Sequence, residues 1–369
     1  MQLINRTRFP AAWTLGFARN GREVVVVVAK ATYAFDAASG EVRPGGVQDP
    51  LVKADEFTGT PGLSAVLRET DFATFKPRCD VLLNGSAHAP AGTRVRSLPV
   101  GMRVGPVAKA FKVSGDRVWK ASLLMRAPSE PEPFASMPIS YDRAFGGVDA
   151  FGGDDVPVAY YAANPVGRGY HRRTSSTLVD GTPLPNTEEL DRAVDAPDGR
   201  YVPMSFGALG RNFPSRLAHA GTYDERWQAT QAPFWPEDFS YEYFQAAPVD
   251  QQMPYPRGGE PVTLKNLTPG GHAGFHLPAL SLSVLANFHE KRERTFEMAV
   301  DTVLIEPDQG RLTMACRVGI PMARSLFDLR EIVLDTTTAI RTRPFHNGKP
   351  HYRSLGDYVR ARSRGKIIK

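Results

Sequence analysis

The sequence predicts a mainly β protein, with antiparallel sandwich or barrel-like halves joined by long ordered loops and only a few short helices. Five successive valines, residues 24–28, sit inside the run EVVVVVAKATYAF, and β-branched side chains at that density favour a pleated strand buried on both faces. Turn residues recur between apolar runs, at residues 36–40, Ser114-Gly115-Asp116 and Pro307-Asp308-Gln309-Gly310, as hairpins require. Between the two β-rich ends, residues 141–170 combine glycine pairs with Tyr141, Phe145, Phe151, Tyr160 and Tyr161. Flexible linkers are poor in aromatics, so this stretch reads as packed irregular structure with backbone that takes positive φ.

The elements follow in order. The valine-rich strand turns at residues 36–40 into a second strand at 41–43. Further β signals run over residues 79–88 and from Thr93, where Arg94 and Arg96 alternate with Val95 as on a half-exposed strand. A hairpin is expected between 107–113 and 117–125. Thr187 is placed to cap a short acidic helix through Ala193. Thr222 and Glu225 have capping-box spacing, which predicts a helix over 223–229 that turns Trp227 inward. An aromatic and proline cluster follows, with Phe234, Trp235, Phe239, Tyr241, Tyr243 and Phe244. The chain returns to β structure at Pro261, with a hairpin pairing 295–306 with 311–320. Leu326, Leu329, Ile332 and Val333 fall at helical spacing, which predicts a helix over 322–335.

These elements divide the 369 residues into a β-rich half at 1–126, a loop-rich aromatic and glycine region at 127–260, a β completion at 261–335 and a basic tail at 336–369. The net charge of +6 resides in that tail, where nine Lys and Arg face one Asp. Basicity therefore does not mark the folded body as nucleic-acid binding. Two cysteines, Cys79 and Cys316, lie far apart and suggest neither a disulfide framework nor a zinc site. The run at 24–29 is too short for a secretory segment, and no window approaches a membrane span; a cytoplasmic location is expected.

Motifs for familiar chemistry are missing from the sequence. It contains no phosphate-binding loop, nucleophile elbow or dinucleotide fingerprint. His272 and His276 would suit a metal only on a helix, and Gly270, Gly271, Gly274 and Pro278 argue for a loop and strand start. Asp142, Asp224, Glu225, Glu237, Asp238 and Asp250 lie near aromatics, the composition of a glycan-binding or glycoside-hydrolysing site; helix caps and turns account for the same residues. Arg143, Arg168 and Arg211 have the chemistry to clamp an anion or to brace glycine-rich loops through backbone carbonyls.

Five motifs carry a resemblance. Residues 141–147, residues 164–170, Gly221-Thr222-Tyr223-Asp224 with Trp227, Pro236-Glu237-Asp238-Phe239, and Ala247-Pro248-Val249-Asp250-Gln251-Gln252 with residues 264–267 resemble a bacterial family long catalogued only as a domain of unknown function. Its members are encoded beside the VgrG spike proteins of type VI secretion systems. The resemblance covers roughly residues 1 to 335. One departure is Asn212-Phe213 after Phe206-Gly207, where the family pattern has tryptophan.

The resemblance implies a cytoplasmic, non-enzymatic adaptor or chaperone without cofactor. It would bind a secreted effector through its PAAR-containing region and help load it onto VgrG. Tyr141, Arg143, Phe145, Arg168, Tyr170, Trp227, Trp235 and Phe239 are then the candidate partner-binding residues. The alternatives are the carbohydrate-active protein above and a structural part of a contractile injection apparatus.

Overall fold

The structure is a computed structural model, which describes residues 1–121, 126–149, 158–289, 292–323, 325–342, 345–346, 349–350 and 355–363. Phe151, the Gly152-Gly153 pair, the end of the expected hairpin at 122–125, Glu290, and Tyr352, Arg364, Lys366 and Lys369 of the tail lie outside the described residues.

The protein is mainly β. The valine run forms the 13-residue strand Glu23–Phe35, buried almost throughout. Val25, Val27 and Ala29 enter the main core, while Val24, Val26 and Val28 pack on the other face against Ala18, Leu51 and Phe72. This strand lies in a seven-stranded sheet between Ala11–Phe17 and Arg311–Pro321, both antiparallel to it. The sheet continues through Ala299–Glu306 to Cys79–Leu83, which runs parallel to its neighbour.

A five-stranded sheet is built on Ser97–Val104, Val107–Ser114, Pro261–Lys265 and His272–His276. Ser97–Val104 alternates buried and exposed residues, as period-two pleating dictates for a sheet with one wet face. A four-stranded sheet holds Gln2–Asn5, Leu329–Thr336, Leu282–Phe288 and Glu293–Glu297. All three sheets give residues to one core, including Val27, Met102, Leu264, Val284 and Ile332, and Phe35 stacks on Phe275 at 4.6 Å between two of them. The β-rich ends of the chain are thus interleaved within shared sheets.

Both outer hairpins form as expected, Phe35 pairing with Val42 and Glu306 with Arg311 across a turn that Gly310 closes at φ 57°. Four expectations are corrected. The helix over 322–335 is instead the short turn Leu326–Asp328 and the strand Leu329–Thr336. Flanked on both sides, that strand is apolar on both faces, and such a run mimics helical spacing over a few residues. The acidic helix from Thr187 is the strand Thr187–Glu188, whose Glu188 is buried against Arg117 at 2.5 Å and Lys112 at 2.9 Å. Val107–Ser114 pairs backwards with Ser97–Val104, and Val95 makes only a single bridge, to Phe134. As the surrounding glycines suggested, His272 and His276 are exposed on a strand, which separates them by roughly 13 Å.

Two boundaries also move. The helix Glu225–Thr230 is capped by Asp224, whose carboxylate accepts from the Trp227 amide at 2.8 Å; Trp227 is half-buried, not inward. The helix Thr337–Arg341 packs Ile340 against Leu285 and Val333, so the fold continues beyond 336.

Candidate functional site

The two glycine-rich motifs interlock. Tyr141–Arg143 is a single 3-10 turn, and the Asp142 carboxylate accepts from the Thr58 hydroxyl at 2.5 Å and the Ala65 amide at 2.8 Å. Phe145 and Gly146 then pair in parallel with Arg168 and Gly169. Asn164, fully buried, donates to the carbonyls of Tyr141 at 2.8 Å and Phe145 at 3.1 Å. The approach is so close that a Cβ on Gly146 would lie 2.1 Å from the Asn164 carbonyl oxygen. Glycine is required here by contact as well as by φ.

The aromatics of this region form its own small cores. Tyr141 packs edge-on to Phe213 at 5.8 Å. Phe145 sits among Tyr161, Tyr170 and Tyr201. Trp235 stacks on Phe239 at 4.3 Å and donates its indole N–H to Phe17 at 2.8 Å, which ties the aromatic segment to the edge of the seven-stranded sheet. Tyr141, Phe145 and Phe239 are buried. Their side chains therefore shape the surface from below and do not themselves face a partner.

The eight residues expected at a partner site fall in three places. Tyr141, Arg143, Phe145, Arg168 and Tyr170 belong to the interlocked motifs, while Trp235 and Phe239 belong to a separate aromatic cluster. Trp227 lines a depression of about 270 Å³ with Asp224, Glu237 and Asp238. Asp224 is the helix cap and Asp238 accepts from the Thr222 amide and hydroxyl. The Asp238 carboxyl is held below its ordinary value by those two bonds, which fixes it as a structural acceptor.

A broad concavity belongs to the first group. A cleft of about 630 Å³ is lined by Thr58, Arg68, Asn84, Asp142, Arg143 and Arg168, among others. An adjoining cleft of about 310 Å³ is lined by Asp116, Arg117, Glu130 and Glu132 and shares Arg143 and Arg168 with the first. Arg168 is anchored by its Nε, which donates to the Asp142 carbonyl at 2.8 Å. Arg143 donates to the Asn186 side chain at 3.1 Å and reaches Asp116 at 3.6 Å. Burial, then the neighbouring Arg143 charge, lowers the Arg168 pKa from its ordinary value.

Sequence reasoning found Arg143 and Arg168 but missed Thr58, Arg68, Asn84 and Asp308, which line the same cleft. Arg68 is paired with Glu306 at 2.7 Å, and Asp308 accepts from Ser86 at 2.8 Å and meets His88 at 2.7 Å. Thr58 and Arg68 belong to one short hairpin, whereas Asn84 and Asp308 come from distant parts of the chain, and only the tertiary fold brings them together. Among the described residues no group of three or more His, Cys, Asp or Glu could hold a metal ion, and no helix is long and apolar enough to cross a membrane.

The family described as "Uncharacterized protein conserved in bacteria (DUF2169)" matches residues 20–317. No curated protein and no solved structure matches the chain.

Proposed function

The chain belongs to the DUF2169 family, and from that premise we propose that it is a cytoplasmic adaptor or chaperone that binds a type VI secretion effector through its PAAR-containing region and helps load it onto the VgrG spike. The observation that carries the reading is the cleft of about 630 Å³, whose wall includes Tyr141, Asp142, Arg143 and Arg168 of the motifs behind the resemblance. Those motifs are locked by buried hydrogen bonds and aromatic packing. A surface preformed in this way loses little conformational entropy when it binds an extended segment. Its mixed polar and apolar lining suits polypeptide recognition.

The glycan reading draws less support. A glycosidase needs two carboxyls facing each other across the substrate, whereas Asp142, Asp224, Asp238 and Asp250 each hold a local partner.

The test is co-expression with the products of adjacent genes, followed by pull-down of the full chain and of a chain ending at 341. Specific capture of a PAAR-type effector or a VgrG protein is expected, and loss on truncation would place docking in the tail. Retention of nothing, together with glycan binding or cleavage, would overturn the proposal and make the Trp227 depression the place to mutate.

A further inference from the structure

We propose that the Arg143–Arg168 pair, at the junction of the two clefts, is a carboxylate-recognition site that takes an acidic side chain of an extended polypeptide segment. It rests on the adaptor reading for which protein supplies the segment. The geometry for the site itself comes from the shared position of the two arginines, since both line both clefts.

The local charges leave this pair incompletely compensated. Among the described residues Arg168 makes no ion pair; its Nε donates to the Asp142 backbone carbonyl. Arg143 meets Asp116 only at 3.6 Å, and the Asp116 side chain is 62% exposed, so water screens that contact heavily. The Asp142 carboxylate already accepts from Thr58 and Ala65. Arg117, the third guanidinium of the smaller cleft, is closed off by Glu188 at 2.5 Å and the Pro185 carbonyl at 2.9 Å.

Two guanidiniums side by side and partly buried destabilise one another, and the depressed pKa of Arg168 has the Arg143 charge as its second cause after burial. A carboxylate between them would relieve the repulsion and accept charge-assisted hydrogen bonds in the planar geometry that guanidinium favours. The rim selects which anion enters. Asp116, Glu130 and Glu132 are exposed around the smaller cleft, so a polyphosphate strand would be repelled there, whereas one acidic residue with neutral or basic neighbours would not.

The test uses the full chain and arginine Nε–Hε NMR signals, assigned with Arg143→Gln and Arg168→Gln. The probes are acetyl-Lys-Ala-Glu-Ala-Lys-amide, its Gln counterpart and a thymidine hexanucleotide. The Glu peptide is expected to shift both signals saturably, with the Gln peptide weaker by about tenfold and each variant losing a similar factor. The Glu-against-Gln comparison is read on the wild-type chain and needs only the Arg143 signal, so it decides the matter even if Arg168→Gln fails to fold. Equal response to the two peptides, no response at millimolar peptide, or tighter binding of the hexanucleotide through the same signals overturns the proposal.

The pull-down separates the two inferences. If an adjacent-gene product is captured equally by wild type and by folded Arg143→Gln and Arg168→Gln, the carboxylate site is wrong and the adaptor reading stands. If the peptide binds as expected but no effector or spike protein is captured, the site stands and the adaptor reading falls.

Discussion

Glu69 shows how one residue can tie a loop to a sheet. It is buried with Arg216 at 2.6 Å, Arg211 at 3.1 Å and Lys76 at 3.6 Å. Burial alone would raise its pKa, but Arg216, Lys76 and Arg211 outweigh burial and hold it below the ordinary value of 4.5. A carboxyl with a depressed folded pKa stabilises the fold fully above its unfolded pKa, and that stability is lost as pH falls through the folded value. Glu69→Gln is therefore expected to cost about 3 kcal/mol at pH 7, the cost of stranding buried cations. The gap to wild type should narrow below about pH 4.5, where the wild-type carboxyl begins to lose its advantage. Urea denaturation of both chains across pH checks this, and parallel curves would contradict it. Asp301 acts in the opposite sense, since burial leaves its pKa raised despite Arg317 and Lys76, so its contribution is lost as pH rises. A backbone prediction belongs to the same scale. Gly147 has φ 103° and a Cβ there would lie 2.5 Å from the Gly167 carbonyl oxygen. Gly147→Ala should cost about 2 kcal/mol or more, read as a lower thermal midpoint, and should loosen the cleft wall.

At the scale of elements, the helix Glu225–Thr230 is short and buries none of its residues, so its cap carries unusual weight. Asp224→Ala removes the acceptor for the Trp227 amide and should cost about 1 kcal/mol. Faster amide exchange confined to residues 225–231, with the sheets unaffected, is the expected signature; unchanged exchange would show that the Trp227 indole bond to the Phe234 carbonyl at 2.9 Å suffices. This helix also shows what the sequence made legible. Its position was readable to within two residues, but Thr222 looked like the cap because the spacing to Glu225 fits a capping box, whereas its hydroxyl is taken by Asp238. The valine strand was legible because five β-branched residues leave one economical conformation. Leu329–Thr336 was not, because a doubly buried strand lacks alternation and its neighbours come from residues 2–5 and 282–288. For the cleft, the glycine spacing revealed the wall bearing Arg143 and Arg168; Arg68, Asn84 and Asp308 gave no local signal, since their proximity is a property of the tertiary fold.

The order of the sheets sets the behaviour of the whole molecule. Glu23–Phe35 has Arg311–Pro321 along one edge over eleven residue pairs, and Gln2–Asn5 is held by Leu329–Thr336. Val25 and Val27 share one core with Val303 and Met314. A chain ending at 126 would expose that strand edge and lose the apolar residues that cover it, at roughly 25 cal/mol per Å² of apolar surface returned to water. Residues 1–126 alone are therefore expected to be unfolded or aggregated, since an unpaired apolar strand invites association. Supplying residues 261–341 alone should not rescue them, because residues 127–260 contribute Met137, Ile139, Phe206 and Met253 to the same core. Circular dichroism and amide dispersion of the fragments, separate and mixed, check this. A folded 1–126 fragment would mean that the N-terminal strands carry a core of their own, and Thr58 and Arg68 would then be tied to Arg143 and Arg168 by the local bonds to Asp142 rather than by a shared core. If the fragments stay unfolded, these residues are held by one cooperative core, and a partner meets a cleft whose width is fixed before it arrives.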